Sequence, residues 1–458
     1  MTELQKAIIA ATLAITGTYL LYDNTIGINY LLFSSVSAIS AIAIHNKAST
    51  QNKLIAILPS ILSSFSLMLF PQQISLYIWM ISYFSMWILL ANPLKPLLIP
   101  LQSLIAIFES PKNQISFFKK ITNSEKAQDW KSKFYIAFIT FLICLIFITL
   151  YSSGNAIFAS YLSMIELPSL NFGLIINCLI LFVIIFGLAE SRVNESLKKY
   201  NGKKQHLEKS NINPKDEKEF SIAKASIWSI TVILLLVNAL DLITISTKKL
   251  PEGMSFSSYV HEGFYTLIIA ICLAIGMILY FYRNRLNFHQ KVKHLRLACN
   301  MWILQNIALA FITCYKNLIY VEAYGLTYKR VAVFLFLLCT LIGLTLSLWK
   351  IKKPYTNWLY FNRTVAYAFL FGIFTSLIPF DKAITFYNLE YSQTKDIDYL
   401  LSLKNPDYHA ISNYLNNKNE KNYIVYDITR YRIKELEQQA NNNSWKEWNL
   451  HINQYATK

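Results

Sequence analysis

The side chains best suited to acid–base chemistry or ligand binding lie near the ends of apolar segments in the second half of the chain. A carboxylate and an imidazole together can act as base and acid in proton transfer. The residues that we single out as a candidate cluster are Asp241, His261, Glu262, Glu322, Tyr324 and Arg330.

His261 and Glu262 are adjacent, so on a helix their side chains point about 100° apart. The zinc-protease pattern H-E-x-x-H instead places two histidines four residues apart on one helix face. A metal at His261 would need ligands from another helix, and a hydrogen-bonded structural histidine is the alternative. For Glu262 the alternative is an acidic residue at a helix N-terminus, where it suits the helix dipole. We predict neither a metal site nor a cofactor.

The segment that ends at Arg330 mixes turn residues with charged ones. Gly325 suits the left-handed residue that ends a helix, and Thr327 suits the N-cap of the next helix. Turn formation does not explain Glu322 and Arg330, which we predict to form an ion pair. On an exposed surface such a pair would contribute under about 1 kcal/mol. In a closed pocket it would be a stronger indication of function.

Three amides form a second group of candidates inside the predicted membrane segments: Asn238, Gln305 and Asn306. Asn238 and Asp241 are three positions apart and therefore share one helix face. An ionisable residue inside a membrane span usually faces a partner or a cavity. Two simpler alternatives stay open, namely interhelical hydrogen bonds for the amides and an interfacial position for Asp241.

The amino-acid composition explains why only a few polar residues are candidates for a functional site. Of 458 residues, 54% are hydrophobic and 15% are charged, whereas a soluble domain has roughly 25% charged residues. These values exclude a soluble enzyme and a disordered protein. They predict an all-α polytopic membrane protein with about 11 spanning helices. The apolar segments lie near residues 7–22, 25–44, 54–70, 74–91, 134–151, 170–188, 227–245, 263–282, 297–316, 331–348 and 358–380.

The net charge of +17 would suggest a nucleic-acid partner if the protein were soluble. The positive residues are, however, distributed unevenly over the connections between the apolar segments. Alternate connections, together with Lys6 and Arg363 at helix ends, hold 28 Lys and Arg residues, and the intervening connections hold five. This positive-inside pattern predicts a cytoplasmic N-terminus and a C-terminal tail on the outer side of the membrane.

The basic connections are also candidates for contact with the bilayer, because clustered Lys and Arg attract anionic headgroups. A solvated loop that enforces topology is the simpler alternative. We therefore expect the lipid bilayer as a partner, anionic lipid at the basic loops, and no nucleic acid. The sequence does not specify a protein partner or a small ligand.

These patterns predict that the chain is divided into three parts. Residues 1–133 contain short membrane helices and a cytoplasmic or interfacial connection, residues 134–380 form the core bundle, and residues 381–458 form a small helical tail on the outer face. In the tail we predict helices at 396–415, interrupted at Pro406, and at 428–440. Ser444 and Glu447 fit a capping box. A tail this small has a limited core, so we expect it to pack on the membrane part.

A family resemblance is carried by the segments SSYVHEGF (257–264), YVEAYGLTYKR (320–330), FNRTVAYAF (361–369), NLEYSQTKDIDYLLSL (388–403) and WKEWNL (445–450). They resemble a family of bacterial multi-span membrane proteins, domain of unknown function 4173, which is related to 4153. The resemblance runs from about residue 226 to the end, and the N-terminal half is similar only in hydropathy. It implies a bacterial cytoplasmic-membrane protein without a settled activity. It favours as site residues His261, Glu262, Glu322, Tyr324 and Arg330.

Three functions fit these features. The first is an envelope sensor, scaffold or assembly component with an outward-facing polar pocket below the tail. The second is a transporter of a small solute, for which Gln305 and Asn306 offer a polar path, although no inverted repeat is visible. The third is a membrane-embedded enzyme with Glu262 or Glu322 as base and His261 as acid or metal ligand.

Overall fold

The computed structural model describes residues 1–46, 48–122, 140, 171–208, 213–247, 256–283, 285–418 and 423–456, with the backbone alone at 118–122, 215, 256–266, 285 and 418. Every regular element in these residues is helical, which confirms the predicted all-α class. The α-helices are α1 (Glu3–Leu21), α2 (Ile28–Ile44), α3 (Thr50–Leu69), α4 (Gln73–Ala91), α5 (Ile99–Thr122), α6 (Phe172–Ala189), α7 (Glu195–Asn201), α8 (Pro214–Thr247), α9 (Phe256–Phe281), α10 (Val292–Tyr324), α11 (Tyr328–Lys352), α12 (Asn357–Ser376), α13 (Phe380–Glu390), α14 (Ile397–Ser402), α15 (Tyr408–Lys418), α16 (Tyr423–Asn442) and α17 (Leu450–Asn453).

Seven of these helices are long and apolar enough to cross a membrane, namely α1, α3, α4, α6, α8, α10 and α11. Helices α12 and α13 pass the same test together, but the chain bends by 60° between them. Helix α2 and the described apolar part of α9 are shorter than 18 residues. Ten of the predicted segments therefore coincide with helices, and the predicted segment 134–151 lies outside the described residues.

Polar side chains fix where several helices begin. Thr2 accepts a hydrogen bond from the backbone of Gln5 and forms a capping box with it at the start of α1. Ser49 caps α3 and Thr356 caps α12 in the same way, each by accepting from a backbone N–H in the first turn. Thr327 caps α11, as its sequence context predicts.

The helices form two apolar cores. One is built from α1 to α7 and contains the fully buried Trp87 and Phe186. The other is built from α8 to α11 and contains the fully buried Tyr282 and Leu344. Helix α12 contacts α3, α4 and α11, so it joins the two bundles.

The tail covers one end of both bundles. Glu447 Oε1 accepts a hydrogen bond from Thr25 N (2.8 Å), at the connection between α1 and α2. Gln72, in the connection between α3 and α4, donates to the carbonyl oxygen of Ile378 (3.1 Å). We call this end, which consists of residues 22–27, 70–72, 325–327 and the tail after residue 379, the tail face.

The opposite end gathers the Lys- and Arg-rich connections. The backbone N–H of Lys95 donates to Asn201 Oδ1 (3.0 Å), and that of Thr356 donates to the carbonyl oxygen of Gln205 (2.9 Å). We call this end, which includes residues 92–98, 190–207 and 353–356, the basic face. The connections that alternate in charge along the sequence thus lie at opposite ends of the described bundles.

The tail has a small apolar core of its own, and it does not stand apart from the membrane helices. Leu326 and Val331, from the α10–α11 turn and from α11, pack against this core. Helices α14 and α15 are separated at Pro406, and α16 covers the second predicted helix, so both tail predictions are confirmed. Helix α13 was not predicted: it begins at Phe380, where the predicted segment 358–380 ends, and the chain bends by 60° between α12 and α13. The core residues are Ile384, Leu389, Leu400, Leu403, Ile411, Leu415 and Val425.

A candidate anion-binding groove on the tail face

The turn between α10 and α11 is shaped by Gly325 and by the tail that lies against it. Gly325 has a φ of +79°, the left-handed conformation that favours glycine. A Cβ atom there would also lie 2.8 Å from Asn388 Oδ1 and 3.0 Å from Ser392 Oγ. Asn388 accepts from Leu326 N (2.5 Å) and donates to its carbonyl oxygen (2.9 Å). The turn and α13 are therefore held together by a pair of hydrogen bonds.

Arg330 binds the C-terminal end of α10. Its Nη1 atom donates to the carbonyl oxygens of Tyr324 (2.8 Å) and Gly325. The guanidinium carbon lies 4.1 Å from the ring centre of Tyr320 and 5.9 Å from that of Tyr324. The negative end of the helix dipole and the two ring faces both attract a cation.

The predicted ion pair between Glu322 and Arg330 is therefore not formed. Among the described residues, Glu322 is exposed and makes no ion pair with Arg330, whose guanidinium is directed to the helix end and the two rings instead. Tyr324 is also exposed, and it contributes to the contact through its carbonyl oxygen and its ring.

Above Arg330 lies a groove of about 530 Å³ between the bundle and the tail. Its three cationic side chains come from two separate parts of the chain. Lys329 and Arg330 lie in the first turn of α11, and Lys404 follows α14. No Asp or Glu of the described chain lines it. The lining residues are Asn317, Tyr320, Thr327, Tyr328, Lys329, Arg330, Val333, Tyr399, Ser402, Leu403 and Lys404.

The tail wall of the groove is positioned by hydrogen bonds to α11. Tyr399 OH accepts from Tyr328 N (2.9 Å), and Tyr328 OH donates to Asp381 Oδ1 (2.6 Å). The second oxygen of Asp381, which is 3% exposed, accepts from Asn405 N (3.0 Å). Burial raises the pKa of Tyr399, so its hydroxyl stays neutral and keeps a proton that it can donate to a ligand.

An ion pair lies next to the groove inside the bundle. Lys316 Nζ is 2.8 Å from Asp241 Oδ1, and the two side chains are 4% and 20% exposed. Lys316 immediately precedes the groove residue Asn317, whose amide donates to the carbonyl oxygen of Arg330 (3.1 Å). Asp241 is one of the residues predicted from the sequence, whereas Lys316, at the end of the predicted apolar segment 297–316, was not singled out. Its signal was that it is a lysine within an otherwise apolar run.

The amide candidates lie where α8 meets α10. Asn238 Nδ2 donates to the carbonyl oxygen of Gln305 (3.1 Å), and Asn306 Nδ2 donates to that of Trp302 (2.8 Å). Their side-chain oxygens, and that of Gln305, are buried without a hydrogen-bond donor in the described part of the chain. Hydrogen bonding between the helices accounts for the Asn238 amide, while the three oxygens remain available to another donor.

His261 and Glu262 lie near the beginning of α9, and their side chains are outside the described residues. Of the predicted cluster, Arg330 lines the groove. Asp241 pairs with Lys316, which precedes the groove residue Asn317.

Among residues with described side chains, no three His, Cys, Asp or Glu lie close enough together to hold a metal ion. Five cysteines are described, and each is a free thiol: Cys178, Cys272, Cys299, Cys314 and Cys339.

The fold and this groove define a polytopic α-helical membrane protein with a helical tail docked on one face. The chain belongs to the family Domain of unknown function (DUF4153), whose sequence model matches residues 9–414. The match supports the relation to 4153 rather than the 4173 family itself, and it extends through the N-terminal half, beyond the segment expected from the motifs. No curated protein and no solved structure matches this chain.

Proposed function

We propose that this protein is a sensor or assembly component of the bacterial envelope that recognises an anionic ligand in the tail-face groove. The observation that carries the proposal is the charge of the lining, which has Lys329, Arg330 and Lys404 and no carboxylate among the described residues. Three cations around one cavity attract an anion, and the attraction strengthens as the ligand excludes water.

The two lysines supply the charge that is free to bind. Lys329 and Lys404 are exposed, and neither forms an ion pair or a side-chain hydrogen bond in the described part of the chain. Lys329 belongs to the bundle and Lys404 to the tail, so an anion held by both would link the two. Such a ligand would stabilise the docked tail by mass action, which is the behaviour expected of a sensor.

The orientation that we propose places the tail face outside and the basic face in the cytoplasm. The excess of Lys and Arg at the basic face supports this orientation through the positive-inside rule. A reporter fused after residue 458 tests it, because a cytoplasm-specific reporter should be inactive there and a periplasm-specific reporter active. Activity of the cytoplasm-specific reporter would reverse the assignment.

The groove can be tested without knowing the natural ligand, by using inorganic phosphate as the probe. The full-length protein in detergent should show a higher melting temperature with phosphate than with chloride at equal ionic strength. The double variant Lys329→Gln/Lys404→Gln should lose about tenfold or more in apparent phosphate affinity, since hydrogen bonds to charged groups contribute roughly 1.5–3 kcal/mol. The control Lys291→Gln/Lys293→Gln makes the same charge change at exposed positions of the opposite end. Equal responses of the two double variants would contradict the proposal.

A transporter of a small solute is the alternative that a second observation favours. Asn238, Gln305 and Asn306 place buried amide oxygens on the α8–α10 contact, and Asp241 pairs with Lys316 on the same two helices. Polar groups at such depth often mark a solute path. Uptake into proteoliposomes that is abolished by Asn306→Leu would favour transport over recognition.

The enzyme alternative depends on His261 with Glu262 or Glu322. Glu322 is exposed and is not part of the groove lining. Metal analysis of the purified full-length protein separates this alternative from the sensor. Stoichiometric zinc that is lost in a His261→Gln variant would favour the enzyme.

A further inference from the structure

Two lysines from different connections meet at the ring of Trp358 on the basic face. Lys95 Nζ lies 5.9 Å and Lys203 Nζ 5.7 Å from the ring centre of Trp358. Lys203 Nζ also lies 4.0 Å from the ring centre of Tyr200. Trp and Tyr rings at the ends of membrane helices occupy the headgroup level. The two ammonium groups therefore lie at the depth of the lipid phosphates.

The backbone that carries these lysines is held in place. Asn201 accepts from Lys95 N (3.0 Å) and donates to the carbonyl oxygen of Pro93 (3.2 Å). The N–H of Leu207 donates to the carbonyl oxygen of Pro354 (2.8 Å), so the same segment also contacts the α11–α12 turn. A binding site on a fixed backbone loses less conformational entropy when it binds.

The charge of the two lysines is not neutralised by the protein. In the described residues neither Lys95 nor Lys203 forms an ion pair, and the nearby Glu208 pairs with Lys204 instead. Lys95 Nζ makes one hydrogen bond, to the carbonyl oxygen of Lys203 (3.1 Å), which leaves two of its three N–H donors for another acceptor. Two like charges beside one ring repel each other, and an anion between them removes the repulsion.

We propose that Lys95, Lys203, Tyr200 and Trp358 bind the phosphate of an anionic phospholipid in the leaflet at the basic face. A lipid is the occupant that the surroundings fit, because Phe361 lies three residues after Trp358 on the same helix face and is 43% exposed. Phe361 offers an apolar surface for an acyl chain, directly adjacent to the cationic site. A soluble phosphate would make no use of this surface.

Native mass spectrometry of the full-length protein in detergent, titrated with phosphatidylglycerol, tests the site. We expect phosphatidylglycerol to be retained in preference to phosphatidylcholine. The double variant Lys95→Gln/Lys203→Gln should weaken this retention by about fivefold for each lysine, as expected for a basic residue at an anionic membrane surface. The variant Lys291→Gln/Lys293→Gln, with the same charge change at exposed positions, should retain the lipid as the wild type does.

The variant Lys203→Gln separates lipid binding from folding, because the Lys203 side chain makes no hydrogen bond in the described residues. It should lower phosphatidylglycerol retention about fivefold and leave the melting temperature in lipid-free detergent unchanged. Wild-type retention by this variant would overturn the proposal. Equal retention of phosphatidylcholine, or displacement of the lipid by an equal concentration of inorganic phosphate, would overturn it as well.

Discussion

Lys316 Nζ and Asp241 Oδ1 are 2.8 Å apart and join α10 to α8, two helices that are long and apolar enough to cross a membrane. Lys316 lies eight residues before the end of α10, which places it about 12 Å below that end. Each charge is costly in this position without the other. We therefore expect the pair to favour this one arrangement of the two helices.

Removal of one member of the pair should be more harmful than removal of both. We expect Lys316→Met to lower the free energy of unfolding by about 3 kcal/mol, because it leaves the Asp241 carboxylate without this cation. The double variant Lys316→Met/Asp241→Asn should recover most of that loss. Thermal unfolding of the three proteins in detergent measures the difference. A double variant less stable than Lys316→Met would show that the pair is not the source of the effect.

The tail should detach from the α1–α2 turn when a methyl group is added at Gly27. A Cβ atom there would lie 2.6 Å from backbone atoms of Glu447 and Trp448, which cannot move as a flexible side chain can. Gly27→Ala should therefore break the hydrogen bond from Ile28 N to the carbonyl oxygen of Trp448 (2.8 Å). Limited proteolysis should then cleave the tail near residue 445 faster than in the wild type.

Gly276→Ala is the matched control for Gly27→Ala. Gly276 lies inside α9, and a Cβ atom there would meet nothing within 4 Å. Alanine in a helix interior is favoured over glycine by up to about 1 kcal/mol. Gly276→Ala should therefore leave tail proteolysis unchanged. Equal cleavage of the two variants would contradict the role assigned to Gly27.

Docking of the tail should weaken in acid because of His451. Burial, and then the positive charge of Lys382, lower the pKa of His451 to about 4, while Asp407 acts in the opposite direction. Between pH 4 and the ordinary pKa of about 6.5, a detached tail binds a proton that the docked tail excludes. The contribution of His451 to the free energy of docking is therefore complete above pH 6.5. As the pH falls to 4, docking is weakened by up to about 3 kcal/mol.

Hydrogen exchange of α17 over this pH range, corrected for the intrinsic pH dependence, measures the effect. His451→Gln cannot be protonated, so it should flatten the change in protection between pH 6.5 and 4. His409→Gln serves as the control, because His409 is exposed on α15. A pH dependence that persists in His451→Gln would assign it to another group.

Asp381 should be necessary for the tail wall of the groove. It accepts from Tyr328 OH (2.6 Å) and from Asn405 N (3.0 Å), and it is 3% exposed. Asp381→Asn replaces one acceptor oxygen by an NH₂ group that faces a donor, which should cost about 1–3 kcal/mol. The exposed Asp398→Asn should change stability little. Thermal unfolding in detergent compares the two, and equal melting temperatures would count against this role.

Local features of the sequence were enough to predict the class of fold and much of the turn chemistry. Gly325 and Thr327 have the predicted roles because a left-handed C-cap and an N-cap depend on residues close in sequence. The capping box of Ser444 and Glu447 forms for the same reason. Each apolar segment is long enough for the chain to cross the bilayer once, so successive connections lie at alternate ends of the bundles.

Other features could not be predicted because they depend on contacts between distant segments. Lys350 lies in the connection between the predicted apolar segments 331–348 and 358–380, but it is 1% exposed and donates to the carbonyl oxygens of Tyr282 (3.2 Å) and Tyr355 (3.0 Å). Its position at the end of an apolar run is compatible with solvent or with burial. Only the packing of α9 against α11 decides between them.

The candidate site divides in the same way. The sequence by itself determined that Asp241 and Arg330 are unusual, because a charge in or beside an apolar segment is costly wherever the helix packs. Only the tertiary structure decided what lies near them, since Lys316 is 75 residues from Asp241, and Lys404, which lines the same groove as Arg330, is 74 residues from it. Electrostatic interactions act through space over a few ångströms. Which charges come within that distance is therefore set by helix packing and tail docking, and not by spacing along the chain.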